Sequence, residues 1–393
     1  MDASEEEMER DVTGRILIVE GAHNIGGSFT SIEIVLRWGM RRGLKFDIIS
    51  AVDLRPLLPE GVDWYSMPAP LRYPISRVKF VGLLLSQNAM VNFRLWRNKY
   101  DAIILNNTVN NNLPAILAGR FQNAPMLQYI RDFERDSRIW RYSQSKVNAF
   151  MAVSHSIKND LIDRLRTPPS RVLLAPEGIA PRDPVTPEQR SFLRQMFGIP
   201  EEADVIGFVG RLDWWKGYEF FVEGAMKAAQ KNPNLYAVMV GGASRGQEKT
   251  VDAIKVKLAN AGLHDRVRIV GEVAPDEVDG WVRSMDVLVH TSITPEPFGR
   301  VLLEAMTVGI PVISSSEGGP REIIIDGETG RLTPPKDVDA LAEAIDWTFA
   351  DRDRPAHLGL KARERCSNVY PEAVCALPPL EWIRRIQLQS STS

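Results

Sequence analysis

Short apolar runs alternate with longer amphipathic stretches along this chain of 393 residues. The apolar runs are rich in Val and Ile and do not alternate with polar residues, which is typical of strands buried on both faces. They cover residues 15–20, 45–51, 101–107, 125–130, 149–154 and 172–175, and then 204–209, 236–241, 267–270, 287–291 and 311–315. Two such series, with helices between the strands, predict an α/β protein with two doubly wound, Rossmann-like domains built on parallel sheets.

A proline-rich segment separates the two series. Five prolines lie among charged residues between positions 176 and 200, as in many linkers. We therefore expect an N-terminal domain over residues 1–180, a linker over 181–200 and a C-terminal domain over 201–370. Residues 371–393 have the pattern of an amphipathic helical tail, and the sequence leaves open which domain it packs on, the N-terminal domain being one option.

Composition and charge exclude several classes of protein. The net charge of −2 gives no general attraction to nucleic acid, so we expect no nucleic-acid partner. Cys366 and Cys375 are too few for a disulfide scaffold or a four-ligand zinc site, and we expect free thiols. Residues 1–10 are acidic without the apolar core of a signal peptide, and the apolar runs are too short for a bilayer. The expectation is a cytoplasmic protein, at most peripheral to the inner face of a membrane.

The most informative motif begins at Glu296 and ends at Glu304. Carboxylates suit the hydroxyls of sugars, whereas Arg and Lys suit phosphates. If the whole segment were helical, the two α-carbons would lie ~12 Å apart along the axis. Retaining glycosidases need carboxyl groups only ~5–5.5 Å apart. The spacing therefore argues against an acid–nucleophile pair. It favours two carboxylates that contact opposite ends of an elongated ligand.

Several strands end in residues that suit a ligand site. Ligands of open α/β sheets bind at the carboxyl ends of the strands. Gly210 follows the run at 204–209, Gly271 and Glu272 follow 267–270, and the segment 290–299 follows 287–289. Within that segment Gly299 permits close approach of a ligand, and the helix start that follows offers N–H groups to an anion. Gly241 and Gly242 likewise follow the strand at 236–240, and four strand ends that converge in this way predict one site.

Two further features near strand ends each allow an ordinary alternative. Arg211 and Lys216 flank a strand-to-helix turn, where they either neutralise a diphosphate or are merely solvated charges. The loop with Gly26 and Gly27 follows the first strand and either approaches a phosphate or sugar or is a plain tight turn. It does not match the dinucleotide-binding pattern.

Arg131 and Asp132 end the strand predicted at 125–130. They are candidates for contact with a transferred sugar or an acceptor, as is His23 at the end of the first strand. The alternative for Arg131 and Asp132 is a surface ion pair with Arg135 or Asp136, which would contribute little.

Residues 64–99 contain six basic residues and no Asp or Glu, with aromatic and apolar residues interleaved. Over residues 70–99 this pattern suits peripheral contact with an anionic lipid surface or an anionic acceptor. The alternative is an ordinary helix with its apolar face on the sheet and its basic face in water. The five histidines show no metal-ligand spacing, and we expect no metal and no cofactor.

Together these motifs resemble the GT-B nucleotide-sugar glycosyltransferases, most closely the large retaining family four, also called group 1. The match covers most of the second domain and is looser in the first. It includes Gly210-Arg211-Leu212 with Lys216-Gly217, the pair Glu296 and Glu304, Gly309-Ile-Pro-Val, and Gly327-Glu-Thr-Gly330.

The resemblance implies a GT-B fold, with an acceptor-side domain and a donor domain facing across a cleft. It implies that Arg211 and Lys216 bind the donor diphosphate and act in catalysis with Glu296, and that Glu304 binds the ribose. The other donor-site residues it implies are Gly26, Gly27, Gly210, Gly271, Glu272, Phe298, Gly299, Arg300 and Val301. Family members often carry His-Asp where this chain has Arg131-Asp132. The identity of the donor sugar therefore cannot be carried over from the family.

The implied activity is metal-independent hexosyl transfer with retention, from a UDP- or GDP-sugar such as GDP-mannose. The acceptor would be a hydroxyl of a glycan, a lipid-linked sugar or a small molecule. Two alternatives remain: a sugar-nucleotide epimerase or phosphorylase on the same architecture, and a non-catalytic subunit that binds nucleotide sugar.

Overall fold

A computed structural model describes residues 13–21, 27–68, 77–119, 124–243, 246 and 248–391. The chain divides into two compact units. Unit 1 comprises Met1–Gly178 and Glu372–Ser393, and unit 2 comprises Ile179–Pro371.

Unit 1 is built on a parallel sheet of seven strands in the order β3-β2-β1-β4-β5-β6-β7. The strands are β1 Gly14–Glu20, β2 Leu44–Ser50, β3 Asp63–Ser66, β4 Ala102–Asn106, β5 Met126–Ile130, β6 Ala149–Ala152 and β7 Val172–Leu174. The helices among them are α1 Gly27–Arg41, α2 Arg77–Arg97, α3 Val109–Gly119, α4 Arg138–Gln144 and α5 His155–Asn159. The strand order reverses between β1 and β4, which is where ligands of doubly wound sheets bind.

Unit 2 is built on a parallel sheet of six strands in the order β10-β9-β8-β11-β12-β13. The strands are β8 Asp204–Val209, β9 Leu235–Val240, β10 Val267–Gly271, β11 Val287–His290, β12 Val312–Ser315 and β13 Gly330–Thr333. The helices are α6 Pro187–Phe197, α7 Tyr218–Lys231, α8 Glu248–Asn260, α9 Val278–Arg283, α10 Arg300–Thr307, α11 Pro320–Ile323, α12 Val338–Phe349 and α13 Arg354–Val369. Here the order reverses between β8 and β11, so the carboxyl ends of these two strands flank the expected ligand crevice.

The tail of the chain, predicted as a helix over residues 371–393, forms α14 (Glu372–Ser391) and belongs to unit 1. Leu380 and Ile383 are buried in the same cluster as Phe46 and other core residues of that unit. At its start Glu372 accepts hydrogen bonds from Arg37 at 2.6 Å and from the indole of Trp38 at 3.2 Å. Apolar burial and this ion pair therefore fasten α14 to α1.

The predicted fold class is confirmed. All eleven predicted apolar runs form strands, and every strand pair is parallel. Two strands were missed, β3 and β13. Both are four residues long, lie at sheet edges and carry polar side chains, so neither resembles a strand buried on both faces.

Part of the segment predicted as a linker, residues 181–200, is an ordered element of unit 2. Thr186 and Gln189 form a reciprocal capping box, and Pro187 occupies the first turn of α6. Buried Arg194 binds Asp286 at 2.8 Å. Proline is favoured in the first turn of a helix because its fixed φ suits the helix and its missing N–H is not needed there. The prolines here therefore start a helix.

The basic stretch 70–99 is described from residue 77 onward, where it forms α2, and residues 70–76 lie outside the described part of the chain. Among the described helices, none combines the length and the apolar character needed to cross a bilayer.

Candidate functional site

The carboxyl ends of β8, β9 and β10 meet through their backbones. The N–H of Gly210 donates to the carbonyl of Val240 at 3.0 Å, and the N–H of Gly241 donates to the carbonyl of Gly271 at 2.8 Å. Gly241 has φ +144°, and a Cβ there would lie 1.8 Å from the Gly210 carbonyl oxygen. The ends of β8 and β9 can approach this closely only because residue 241 is a glycine. The predicted residues Gly210 and Gly271 therefore lie on one continuous edge of the sheet.

A short 3₁₀ turn, Trp214–Lys216, lies against the loop that follows β11. Gly217 adopts φ +67°, and a Cβ there would lie 2.0 Å from the Thr291 carbonyl oxygen. The Thr291 hydroxyl donates to the Gly217 carbonyl at 2.8 Å, and the N–H of Ile293 donates to the Trp215 carbonyl at 2.8 Å. These contacts hold the turn against the loop and bring Lys216 to Glu296.

Glu296 is the centre of a buried polar cluster. Its Oε2 lies 2.8 Å from Lys216 Nζ, 2.8 Å from Ser292 Oγ and 3.1 Å from His290 Nε2. The other ring nitrogen of His290, Nδ1, lies 3.1 Å from Ser314 Oγ. The Glu296 side chain is only 9% exposed. Three side chains therefore converge on one carboxylate oxygen, Lys216 from the 3₁₀ turn and His290 and Ser292 from the end of β11 and its loop.

The cluster keeps Glu296 ionised. Burial by itself would raise the pKa of this carboxyl, but the charge of Lys216 and the hydrogen bond from His290 outweigh burial and hold the pKa well below its ordinary value. Within the described part of the chain, the hydrogen bonds and ion pairs of Glu296 all involve Oε2 and none involves Oε1. Glu296 is therefore a fixed acceptor with one oxygen committed and one left for a ligand hydroxyl, and it is unsuited to donate a proton.

Lys216 retains capacity beyond its bond to Glu296. An ammonium group has three donors, and one of them serves Glu296. The ammonium also lies 4.2 Å from the centroid of the Trp215 ring, which fixes its direction. The remaining N–H groups suit an anionic ligand.

The segment that enters α10 supplies the next part of the site. Gly299 has φ +99° and leaves the start of the helix without a side-chain cap. Phe298 packs edge-on against Tyr370, with ring centroids 5.9 Å apart, and its backbone closes on Gly319, where a Cβ would lie 2.4 Å from the Phe298 carbonyl oxygen. The start of a helix attracts anions, and here it is presented beside Glu296, whose Cγ would lie 3.6 Å from a Cβ on Gly299.

Other predicted residues of unit 2 have separate partners. Arg300 and Glu304 pair with each other at 3.4 Å on α10, next to half-buried Val301. Arg211 is 65% exposed and binds Asp213 at 2.9 Å, and exposed Glu272 lies beside Gly242. The structure thus joins Lys216, Glu296 and Gly299, and no hydrogen bond or ion pair between described side chains links Arg211, Glu272 or Glu304 to them.

Comparison with known proteins identifies one domain of the chain. Residues 189–365 match the family model of glycosyl transferases group 1. The chain carries a group 1 glycosyltransferase domain. Unit 2, which spans Ile179–Pro371, contains every residue of the match.

Curated relatives resemble part of the chain. An uncharacterized glycosyltransferase of Methanocaldococcus jannaschii is 30% identical over 204 residues, which are 51% of this chain and 50% of that protein. A D-inositol 3-phosphate glycosyltransferase of Corynebacterium diphtheriae is 29% identical over 214 residues, 53% of this chain and 50% of that protein. The chain spans about half the length of the curated relatives it matches.

Solved structures resemble the chain over nearly its full length. Anabaena HepE in complex with UDP and glucose gives a TM-score of 0.78 at 22% identity, covering 95% of this chain and 100% of that one. A glycosyltransferase from Rickettsia africae gives a TM-score of 0.80 at 21% identity, covering 95% and 99%. These likenesses establish the fold, two Rossmann-like domains of the GT-B type.

Outside the group 1 domain, the predicted residues of unit 1 occupy varied positions. His23 and Gly26 lie outside the described residues, and Gly27 is the exposed first residue of α1. Exposed Asp132 accepts the N–H of Phe133 at 2.7 Å.

Arg131 is buried, contrary to the alternative of a surface ion pair. Its side chain is 8% exposed and forms a salt bridge with Glu177. It also donates to Asn106 Oδ1 at 2.6 Å and to Ser31 Oγ at 3.1 Å. Asp136, the alternative partner, pairs instead with Arg141 at 2.9 Å. The guanidinium therefore joins the ends of β4 and β5 to α1.

The sequence did not reveal two residues of the cluster in the group 1 domain. Both lie in the segment 290–299 that follows a strand, but no motif assigns a role to His290 or to Ser292. The only sequence signal for these two residues is their position at the carboxyl end of a buried strand, where ligands of open α/β sheets bind. Within the described residues, no group of three or more His, Cys, Asp or Glu side chains is placed to hold a metal.

Proposed function

We propose that the protein is a glycosyltransferase that moves a hexosyl group from a UDP- or GDP-sugar to an acceptor hydroxyl with retention of configuration. The observation that carries this is the Glu296 cluster. One carboxylate oxygen is fixed by Lys216, His290 and Ser292, and the other suits a sugar hydroxyl. Lys216 and the start of α10, which both lie next to Glu296, suit the diphosphate.

In the proposed step, the acceptor hydroxyl oxygen forms a bond to the anomeric carbon as the bond from that carbon to the diphosphate oxygen breaks. Attack comes from the face that the diphosphate leaves. The hydroxyl proton passes to a leaving phosphate oxygen, so no protein base is needed. This agrees with a cluster whose carboxylate is held ionised. Stabilisation of the growing negative charge by Lys216 and Arg211 is the main catalytic contribution.

UDP-sugars are the first donors to test because UDP is bound in the Anabaena HepE structures. In this proposal Glu304 binds the ribose, Phe298, Gly299, Arg300 and Val301 line the donor, and no metal or cofactor takes part. The acceptor is a glycan, a lipid-linked sugar or a small molecule. We place the protein at a membrane surface, with peripheral contact through residues 70–99.

The test is a transfer assay with purified protein, each candidate nucleotide sugar and a mixture of acceptors, with and without EDTA. Glu296→Gln removes the charge at nearly constant shape, and Lys216→Ala removes the cation. We expect each to lower turnover about 10²–10³-fold, the range found when one transition-state partner is lost. Lys227→Ala is the matched control, because Lys227 lies in the same unit and pairs with Asp339 at the surface.

Other outcomes would identify the alternatives. Release of sugar 1-phosphate only when phosphate is added indicates a phosphorylase, and conversion of the nucleotide sugar without acceptor indicates an epimerase. Binding of nucleotide sugar with no turnover indicates a non-catalytic subunit. Full turnover by both site variants contradicts the site.

A further inference from the structure

The outer face of α2 is apolar although it faces solvent. Leu85, Phe93 and Trp96 are 63%, 50% and 76% exposed. Together with Ala89, these residues recur at intervals of three and four, so they lie along one side of the helix. We call Leu85, Ala89, Met90, Phe93, Trp96 and Arg97 the α2 outer face.

The opposite side of α2 is packed in the ordinary way. Val91 and Leu95 are buried, and Gln87, also buried, donates to the carbonyl of Pro68 at 2.6 Å. The amide of Asn88 donates to the carbonyl of Pro114 in α3 at 2.8 Å. The helix therefore already has a buried face, and its outer face is an additional apolar surface.

A single exposed Leu needs no explanation, but a row of large side chains does. The rings of Phe93 and Trp96 lie 6.3 Å apart, centroid to centroid, and both face outward. Leaving these side chains in water is unfavourable, and burial of such a row is the usual purpose of a contiguous exposed patch.

The charge around this face selects the kind of partner. Arg97 and Lys99, which follow Trp96 in the sequence, are exposed, and Arg94 lies over the ring of Tyr65. From Trp64 to Lys99 the sequence contains no acidic residue, although the whole chain carries a net charge of −2. The local excess of positive charge is complementary to an anionic surface.

We propose that the α2 outer face lies on an anionic lipid bilayer. Trp96, Phe93 and Leu85 would enter the boundary between headgroups and acyl chains, where aromatic rings are favoured. Arg97 and Lys99 would contact lipid phosphates, as basic residues do at the surface of anionic membranes. An apolar row bordered by basic side chains fits this interface better than a neutral protein surface or a nucleic acid.

This inference makes the proposed peripheral contact more specific. It rests on the proposed function only for the reason that the protein would be at a membrane. Binding to lipid needs neither nucleotide nor acceptor. A protein that transfers sugar without binding vesicles would contradict this inference alone, and one that binds vesicles without transfer would contradict the proposed function alone.

The experiment is flotation of the full chain with phosphatidylcholine vesicles and with vesicles that also contain phosphatidylglycerol. We expect binding to the anionic vesicles and little to the neutral ones. The double variant Phe93→Ser/Trp96→Ser should bind at least about tenfold more weakly. Arg97→Gln/Lys99→Gln should weaken binding to anionic vesicles and should make that binding less sensitive to salt concentration.

The matched control is Phe192→Ser/Met196→Ser, which removes two exposed apolar side chains from α6 in unit 2. It should bind vesicles like the wild type, and thermal unfolding of all variants checks that they fold. No binding of the wild type to anionic vesicles, or equal binding by the Phe93/Trp96 variant, overturns the proposal. So does a wild-type dimer that this variant dissociates without lipid, because the face would then bind a second copy.

Discussion

At the scale of single residues, we expect His290 to act on the proposed site through Glu296. Its Nε2 lies 3.1 Å from the carboxylate oxygen and its Nδ1 lies 3.1 Å from Ser314. We expect His290→Ala to lower kcat about 10- to 100-fold, because loss of one buried hydrogen-bond partner costs about 1–3 kcal/mol. Nucleotide affinity should change less, since His290 would touch no phosphate.

The comparison with His290→Gln separates positioning from simple structural support. Gln can still donate to the carboxylate, so it should restore part of the turnover lost in the Ala variant. Steady-state kinetics with kcat and KM measured separately give the answer. Equal kcat for wild type and His290→Ala would show that Lys216 and Ser292 suffice to hold Glu296.

Glu134 gives the residue-scale prediction for pH. This buried carboxyl accepts the N–H of Val109 at 2.8 Å. Burial raises its pKa to about 7, against the opposing effect of that N–H and with help from the charge of Asp132. Because the folded pKa exceeds the unfolded one, the stability contributed by the protonated form is complete below about pH 4.3 and is lost as pH rises through 7.

Glu134→Gln keeps an acceptor and cannot ionise. We therefore expect it to be more stable than the wild type at pH 8, by up to about 3 kcal/mol, with the difference vanishing toward pH 4. Denaturant unfolding across this range measures the difference. Glu60→Gln, an exposed change in the same unit, is the control. A wild-type advantage at pH 8 would contradict the assignment.

The sequence could indicate residue types but not partners. Glu296 and Lys216 stood out because carboxylates and ammonium groups suit a sugar and a phosphate. Their direct contact could not be predicted, because it depends on how the turn at 214–216 lies against the loop after β11. Arg131 shows the same limit, since its partner Glu177 is distant in sequence and its burial depends on the folded sheet.

At the scale of elements, the tail helix makes a testable contribution to unit 1. Ile383 is fully buried against the core of that unit, whereas Leu388 on the same helix is exposed. Ile383→Ala should cost about 2–5 kcal/mol, the range for removing a large aliphatic side chain from a core. Leu388→Ala should change stability by less than about 0.5 kcal/mol.

Denaturant unfolding, monitored by a probe in unit 1, checks both variants of α14. If Ile383→Ala were as stable as Leu388→Ala, the tail would contribute nothing to the core of unit 1. The contrast uses the intact chain, so it separates loss of packing from loss of the helix.

Elements were predictable where burial dictates the pattern. Strands covered on both faces must be apolar throughout, and these runs identified eleven strands. The edge strands β3 and β13 lack that constraint. Helix α6 was hidden because proline served as its first turn, and only the pair Thr186 and Gln189, a capping box, marked its start.

At the scale of the whole molecule, the chain leaves unit 1 at Gly178 and returns to it at Glu372. Within unit 2 the two passages lie side by side, with the N–H of Ile179 donating to the carbonyl of Tyr370 at 2.9 Å. The division into two Rossmann-like units was predictable from the two strand series. The return of the tail to unit 1 was not, because its apolar face fits any covered sheet.

The two units should respond differently to a nucleotide. If UDP binds the Lys216–Glu296 site, mass action stabilises the folded state by about 2.7 kcal/mol at 100 times the dissociation constant. The added stability should be largest in the segments that contact the nucleotide. Hydrogen exchange should therefore slow around residues 210–217 and 296–304, and exchange in α14 should change little. Lys216→Ala should abolish the protection, and Lys227→Ala should keep it. Protection that appears only in unit 1 would place the nucleotide outside this site. Protection that survives in Lys216→Ala would do the same, because Lys216 is the cation that this site offers to a phosphate.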